Sequence, residues 1–397
     1  MMKILVVNCG SSSLKYQLFD MEKEEVIAKG IVERIGTPPS YLTYSVNGEK
    51  VKKEVTANNH TEAFRVVIEA LLNGDKPVIS SIEEIKAVGH RVVHGGERFK
   101  EPTIINDEVI AEIERNNELA PLHNPAGLAG IRASMEVLPN VPQTAVFDTS
   151  FHSNMPKYAY LYAIPMRLYR DYRIRRYGFH GTSHYYVAHR AAQLVGRPIE
   201  ELKIITCHLG NGCSISAVKG GRSIDTSMGF TPLEGLIMGT RSGDLDPAIP
   251  LYLIRNLNYT AEEVDDILNK ESGLLGISEF SNDMRDIMKS AEEGNQNAKL
   301  AMEMFCYRIK KYIGAYTAVM NGLDVLVFTA GIGENEPEIR LMVCDNMEYL
   351  GIKIDPHKNN FKGQEREIST SDSRVKVWVI PTNEELVIAR ETARLIS

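Results

Sequence analysis

Lys3-Ile-Leu-Val-Val7 runs straight into Asn8-Cys-Gly10-Ser11-Ser12-Ser13-Leu-Lys15. The first five residues read as a short buried strand. The turn after them is built almost wholly of small residues. Gly10 lets the backbone approach a ligand closely. Ser11, Ser12 and Ser13 set hydroxyls beside bare backbone N–H groups. Such a concavity suits an anion, above all a phosphate. Lys15 adds a positive charge at the rim, and Asn8 offers a neutral oxygen that suits a magnesium-bound water. A Gly-Ser turn alone also fits a plain hairpin. The flanking Asn8 and Lys15 favour phosphate.

The same device recurs 200 positions later, in Lys203-Ile-Ile-Thr-Cys-His208-Leu209-Gly210-Asn211-Gly212-Cys-Ser214. Lys3 matches Lys203, Ile4 matches Ile204, Gly10 matches Gly210, and Asn8 falls opposite His208. Each copy is a strand, a glycine-containing turn and a return strand. Two such cradles in the two halves predict a duplicated architecture closing over one nucleotide.

Working outward, 397 residues suffice for two or three domains. The 43% hydrophobic and 24% charged content is that of an ordinary globular protein. A net charge of −7 argues against nucleic acid as a partner. It also means that an anionic substrate needs a local cluster of Arg and Lys. No basic segment leads into a long apolar one at the N-terminus, so no secretion signal is expected. No apolar run approaches the ~18 residues of a membrane span. The cysteines (Cys9, Cys207, Cys213, Cys306, Cys344) are odd in number and form no C-x-x-C. This predicts neither disulfides nor zinc, and a reducing cytoplasm.

Strands are expected at 3–7, 14–20 and 26–35 as an antiparallel meander, then at 85–94 and 141–147. Helices are expected at 61–72 and 107–119, the second capped near Asn106. In the second half, strands are expected at 203–209, 213–218, 222–226, 324–329 and 375–380. Helices are expected at 183–195, 261–270, 296–321 and 384–395, the last capped by Thr382 or Asn383. The strand ending at Thr329 enters a Gly331-Ile332-Gly333-Glu334-Asn335 loop, and a helix follows with Pro337 in its first turn. A domain boundary is placed near residue 150, giving domains 1–150 and 151–384. The C-terminal helix, 385–397, is expected to complete the first.

Several side chains have the chemistry for anion handling. Arg91 ends a predicted strand, and Arg241 lies in the flexible loop Gly239-Thr-Arg-Ser-Gly243. Guanidinium groups suit planar carboxylates and phosphates. His180, in Tyr177-Gly-Phe-His-Gly181, sits at a predicted helix start and suits a donor to a phosphoryl oxygen. His180 and His184 lack the Glu of a zinc-protease motif, and packed structural roles suit His184 and His189 equally. Asp148 ends a buried strand. Glu384 opens the last helix, where a helix-dipole role is the plain alternative. Oxygen donors of this kind suit magnesium. The third glycine of a dinucleotide fingerprint is missing, because position 336 is Glu. This weakens an NAD-dependent dehydrogenase, and no Walker motif is present.

Asn8-x-Gly10-Ser11-Ser12-Ser13-x-Lys15 resembles the first signature of the acetate kinase family. His208-x-Gly210-x-Gly212-x-Ser214 through Gly221 resembles its second, and Gly331–Asn335 its adenosine loop. The resemblance runs from residue 3 to near the C-terminus. It implies an α/β fold: a two-domain, duplicated actin-like ATPase (ribonuclease H-like) architecture with a nucleotide cleft. It further implies a cytoplasmic homodimer that interconverts acetate plus ATP and acetyl phosphate plus ADP by in-line transfer. Magnesium is the implied metal, with manganese as a substitute.

The resemblance also implies roles. Asn8 and Glu384 would hold magnesium through water. Lys15, Ser11, Ser13 and the turn His208, Leu209, Gly210, Asn211 and Gly212 would bind phosphates. Asp283, Met284, Arg285 and Gly331, Ile332, Gly333, Glu334 and Asn335 would hold adenosine. The family often has Phe where this chain has Met284. Arg91 and Arg241 would bind the carboxylate and the transferring phosphoryl group, and His180 would stabilise the transition state. Asp148 is the family's essential acid. Acetate is already ionised at pH 7 and needs no general base, so orienting Arg91 or magnesium is the better role for Asp148. Val93, Leu122, Phe179 and Pro232 resemble the apolar pocket around the acetate methyl. A propionate kinase of the same family is the near alternative, with butyrate further off. An actin-like ATPase without a carboxylate substrate is the alternative from another class.

Overall fold

The computed structural model describes residues 2–120 and 123–397. The chain divides into two compact units, Met1–Phe151 with Asn383–Ser397, and His152–Thr382.

The first unit is built on β1 (Lys3–Gly10), β2 (Ser13–Asp20), β3 (Glu25–Glu33), β4 (Ser40–Val46) and β5 (Glu49–Val55). These run antiparallel in sequence order. The expected meander is therefore present, but two strands longer. β4 and β5 meet at Asn47 and Gly48, both at positive φ (50° and 83°). That is the turn that the right-handed twist of a hairpin favours. Next come α1 (His60–Asn73), β6 (Ile85–Val92), β7 (Thr103–Ile104), α2 (Asp107–Arg115), α3 (Asn124–Val137) and β8 (Gln143–Phe147). The sheet order is β5-β4-β3-β2-β1-β6-β8-β7.

α1 forms where expected. The Asn59 side chain accepts from Glu62 N–H, and Phe64, Val67 and Leu71 on one face join the core over the sheet. α2 stops at Arg115, short of the expected 119. α3 has no counterpart among the expected helices, and Pro125, Gly127 and Gly130 give it low intrinsic helix propensity. Pro125 sits in its first turn, where its missing N–H costs nothing. A Cβ on Gly130 would lie 2.2 Å from Cys9 Sγ, so glycine there admits the helix against the turn that follows β1.

The second unit contains α4 (Lys157–Tyr160), α5 (Met166–Tyr172), α6 (Gly181–Val195), β9 (Lys203–Leu209), β10 (Cys213–Lys219) and β11 (Arg222–Thr226). Helices α7 (Ala248–Asn256), α8 (Ala261–Lys270), α9 (Gly273–Ser278), α10 (Met284–Glu292) and α11 (Gln296–Met320) follow. Then come β12 (Val325–Thr329), α12 (Ala330–Asn335), α13 (Pro337–Cys344), α14 (Pro356–Asn359), β13 (Arg366–Glu367) and β14 (Lys376–Val379). The expected 331–335 loop is thus a short helix. The chain ends in α15 (Glu384–Ile396), which is capped by Asn383 and belongs to the first unit. A Cβ on Gly89 would lie 2.5 Å from Thr392 Oγ1, so glycine in β6 lets α15 lie close on the sheet.

The two sheets share one plan. The order β3-β2-β1-β6-β8 matches β11-β10-β9-β12-β14. In each, the first three strands are antiparallel and the last two join in parallel. The duplication read from two short sequence matches is therefore a duplication of topology, and the fold is α/β with two mixed sheets.

The interior of the first unit carries an acid-sensitive group. His90 in β6 is buried, and its Nε2–H donates to Gln143 Oε1 (2.8 Å). Burial pushes its pKa down to about 4, with the Gln143 bond opposing. The unfolded chain takes up this proton near pH 6.5 and the folded chain only near 4. Stability is therefore full above 6.5 and lost as pH falls. Between pH 7 and 5 the loss from this group is about 2 kcal/mol. Urea unfolding at both pH values should show a drop that shrinks by about that amount in His90→Gln.

Candidate active site

In the first unit, parallel strands β6 and β8 end together, with Arg91 beside Val146. Asp148 follows directly, its N–H donating to Val92 O (2.9 Å). Arg91 Nε donates to both Asp148 oxygens (3.1 and 3.2 Å) and Nη2 to Oδ2 (2.7 Å). The Asp148 side chain is 2% exposed and that of Arg91 23%. Asp148 keeps the guanidinium charged against the cost of burial. Its carboxylate is thus committed to aiming Arg91.

Glu384 opens α15 nearby, and its charge couples to both Arg91 and Asp148. Its Oε1 is buried with no hydrogen-bond partner. Burial pushes its pKa up to about 7, with Arg91 opposing and Asp148 and Glu385 adding. A buried carboxylate oxygen without a hydrogen-bond partner, beside other acids, has the chemistry of a cation ligand. Among the described residues no group of three or more His, Cys, Asp or Glu is poised to hold a metal.

Asn8 and Lys15 pair across β1 and β2. With Glu385 they line a cavity of about 390 Å³. Ser11 and Ser12 form the exposed turn, and Gly10 pairs with Ser13. Val93 is half-buried. Leu122 lies outside the described residues.

In the second unit, Thr329 at the end of β12 lies beside His208 at the end of β9. This register brings α12 and the 208–212 turn to the same end of the sheet. The second turn, Gly210-Asn211-Gly212, is one residue longer than the first. Gly210, Asn211, Asp283, Met284, Arg285, Gly331, Ile332 and Asn335 line one cavity of about 760 Å³. Asp283 caps α10, accepting from Arg285 N–H (2.9 Å) and Arg285 Nε (3.0 Å). The residues of the 331–335 segment differ in their surroundings. Gly333 is buried, with its Cα hydrogens toward Phe328. Glu334 Oε1 accepts from Ala330 N–H (2.8 Å) and Thr382 N–H (3.2 Å), so it clamps backbone. Ala330 needs that clamp, because its φ is +63°. Asn282, Glu336 and Lys362 also line the cavity, and the sequence analysis did not name them. Lys362 comes from a segment far along the chain, and only the fold reveals it.

His180 sits just before α6 at φ +54°, a strained position for a residue with a side chain. A Cβ on Gly212 would lie 3.5 Å from its Cε1 and Nε2, and 3.8 Å from Arg241 Nη1. His180 and Arg241 therefore converge on the 210–212 turn. Gly239 N–H donates to Asn211 O (2.8 Å), fixing the Arg241 loop to that turn. Arg241 Nη1 reaches only Pro232 O (3.5 Å) and Met238 Sδ (3.9 Å). Burial lowers its pKa, and no carboxylate pairs with it among the described residues. Phe179 is buried, and its carbonyl accepts from His152 Nε2–H (2.9 Å).

The duplicated α/β plan defines the class: a two-unit α/β protein in which each mixed sheet carries a glycine-containing turn between its first two core strands. The Acetokinase family model matches residues 3–390. The chain is 58% identical to the acetate kinase of Dictyoglomus thermophilum over 396 residues, covering 100% of this chain and 99% of that one. The crystal structure of Porphyromonas gingivalis acetate kinase superposes with a TM-score of 0.96 at 48% identity, over 100% of both chains. A propionate kinase structure from Francisella tularensis gives 0.93 at 44% identity, also over 100% of both. The chain belongs to the Acetokinase family.

Proposed function

We propose that this protein is an acetate kinase, transferring the γ-phosphoryl group of ATP reversibly to acetate. The observation that carries this reading is the convergence of His180 and the unpaired Arg241 on Gly212 of a phosphate turn. A transferring phosphoryl group needs such positioned positive charge and donors more than it needs covalent chemistry.

Acetate arrives ionised. One carboxylate oxygen forms a bond to the γ-phosphorus while the bond from that phosphorus to the β,γ-bridging oxygen breaks. The electron pair leaves with ADP, and no proton need move. Arg91, aimed by Asp148, holds the acetate carboxylate and offsets its repulsion from the γ-phosphate. Arg241 and the His180 N–H hold the equatorial oxygens. Lys15, Ser11, Ser13 and the backbone of the 208–212 turn bind the nucleotide phosphates. The 760 Å³ cavity takes the adenosine. The family resemblance assigns Val93, Leu122, Phe179 and Pro232 to the methyl group.

Asn8 and Glu384 would hold magnesium, Glu384 through its orphaned oxygen. When bound, that ion, or manganese in its place, neutralises charge on the β- and γ-phosphates. Glu384→Ala should raise the magnesium concentration for half-maximal activity by on the order of tenfold or more. Titration of magnesium into the variant at fixed ATP checks this.

Acetate is preferred over propionate because relatives at 58% identity are acetate kinases. One methylene is worth only ~1–3 kcal/mol in an apolar pocket, so some propionate turnover is expected. The reading includes a homodimer. Helix α7 buries none of its side chains, and Ile249, Leu251, Tyr252 and Ile254 lie exposed on it. It also includes a cytoplasmic home, supported by five unpaired thiols. No helix among the described residues is long and apolar enough to cross a membrane. ATP formation from acetyl phosphate and ADP, read by luciferase, tests the activity in reverse. Absence of ATP with active, folded protein would reject it.

A further inference from the structure

Behind His180 lies a buried chain of three hydrogen-bonding side chains that the proposed reaction does not use. Thr206 Oγ1 is 2.7 Å from His184 Nδ1, and His184 Nε2 is 2.7 Å from Ser214 Oγ. Ser214 Oγ is in turn 2.9 Å from His180 Nδ1. Thr206, His184 and Ser214 are fully buried or nearly so. Their positions follow from the fold. Thr206 and Ser214 project from neighbouring strands β9 and β10, and His184 from the first turn of α6. His180 stacks on His208 with centroids 4.1 Å apart and planes at 20°, which fixes its ring plane.

We propose that His184 is a positioning residue for His180, acting through Ser214 to keep the His180 proton on Nε2. The inference rests on the reading that His180 donates to the transferring phosphoryl group.

The number of protons along the chain limits how it can be bonded. Burial keeps His184 neutral, with the neighbouring His152 and His208 adding to the effect. It therefore carries one N–H, and Ser214 and Thr206 carry one O–H each. Only two arrangements give every link of this chain one donor and one acceptor. In the first, Thr206 donates to His184 Nδ1, His184 Nε2–H donates to Ser214, and Ser214 donates to His180 Nδ1. The His180 proton must then sit on Nε2, the edge near Gly212. In the second, every bond reverses, and His180 presents a lone pair to that edge instead. An anion in the 208–212 turn repels the lone pair and selects the first arrangement. Any mixed arrangement leaves a buried polar group unmet, at a cost of about 1–3 kcal/mol.

Two substitutions break the chain and one preserves it. Ser214→Ala removes one atom from the bridge. His184→Leu removes the donor behind it. His184→Gln keeps an N–H donor of similar reach toward Ser214. Turnover in Ser214→Ala and His184→Leu should fall on the order of tenfold, with KM for acetate and ATP within about twofold. His184→Gln should retain most of the wild-type turnover. The deciding readout is ¹⁵N NMR of histidine-labelled protein with ADP and magnesium, with the His180 signals assigned by their loss in His180→Ala. Protonated Nε2 with bare Nδ1 is expected in wild type and His184→Gln, and a tautomer mixture in Ser214→Ala and His184→Leu. An unchanged His180 tautomer across all variants overturns the proposal. So does a fall in thermal stability alone, with full turnover. If His184→Leu does not fold, Ser214→Ala decides. If His180→Ala keeps its turnover, the catalytic reading of His180 fails instead, and the tautomer measurement still judges the role of His184.

Discussion

Arg241→Ala is expected to lower kcat by on the order of 10²–10³ while leaving the fold as stable as before. The two halves of this expectation have separate causes. Arg241 is a largely buried cation with no carboxylate partner among the described residues, and burial already depresses its pKa. Its loss removes a desolvation cost from the free protein. The loop around it is held by backbone instead: Met238 N–H donates to Arg241 O (3.1 Å) and Leu274 N–H to Met238 O (2.8 Å). Alanine keeps those bonds. What disappears is the charge beside Gly212, which matters most when negative charge spreads over the phosphoryl oxygens. Steady-state kinetics with a denaturant midpoint measured on the same sample checks both halves. Near-normal turnover would remove Arg241 from the site.

Arg91→Ala should behave differently. It should cost turnover by on the order of 10²–10³ or more and stability by about 3–5 kcal/mol. Asp148 is almost fully buried and accepts three hydrogen bonds from Arg91. Removing the guanidinium strands Asp148 beside Glu384, whose own carboxyl Arg91 helps to keep ionised. Arg91→Lys separates the effects. A lysine restores most of the charge balance but not the forked geometry, so stability should recover more than kcat. A stable, active Arg91→Ala would contradict both the ion-pair analysis and the substrate role.

These two arginines show what the sequence reveals and what it hides. Both stood out from their glycine-flanked settings, and Asp148 from its place at a strand end. Their partners could not be read there. That Arg91 is clamped while Arg241 is unpaired depends on strands 50 residues or more apart in the chain, as Asp148 is from Arg91. The duplicated plan was legible because glycine turns between apolar strands leave a local pattern. The β4–β5 hairpin was legible too, from Asn47-Gly48, and its omission was a missed turn signal. α3 was hidden for a physical reason. Its Gly130 lets it approach Cys9, and glycine within a helix otherwise argues against one. The Thr206–His184–Ser214 chain left no local mark, since each residue alone fits a packed interior.

The most direct test is to trap the acyl phosphate as hydroxamate, using purified protein and Mg-ATP with acetate, propionate or butyrate in separate reactions. The account predicts a strong acetate-dependent signal, a lower kcat/KM with propionate and little product from butyrate. No hydroxamate from any acid, alongside steady ATP hydrolysis, would contradict it and leave an ATPase in which Arg91 and Arg241 serve some other anion.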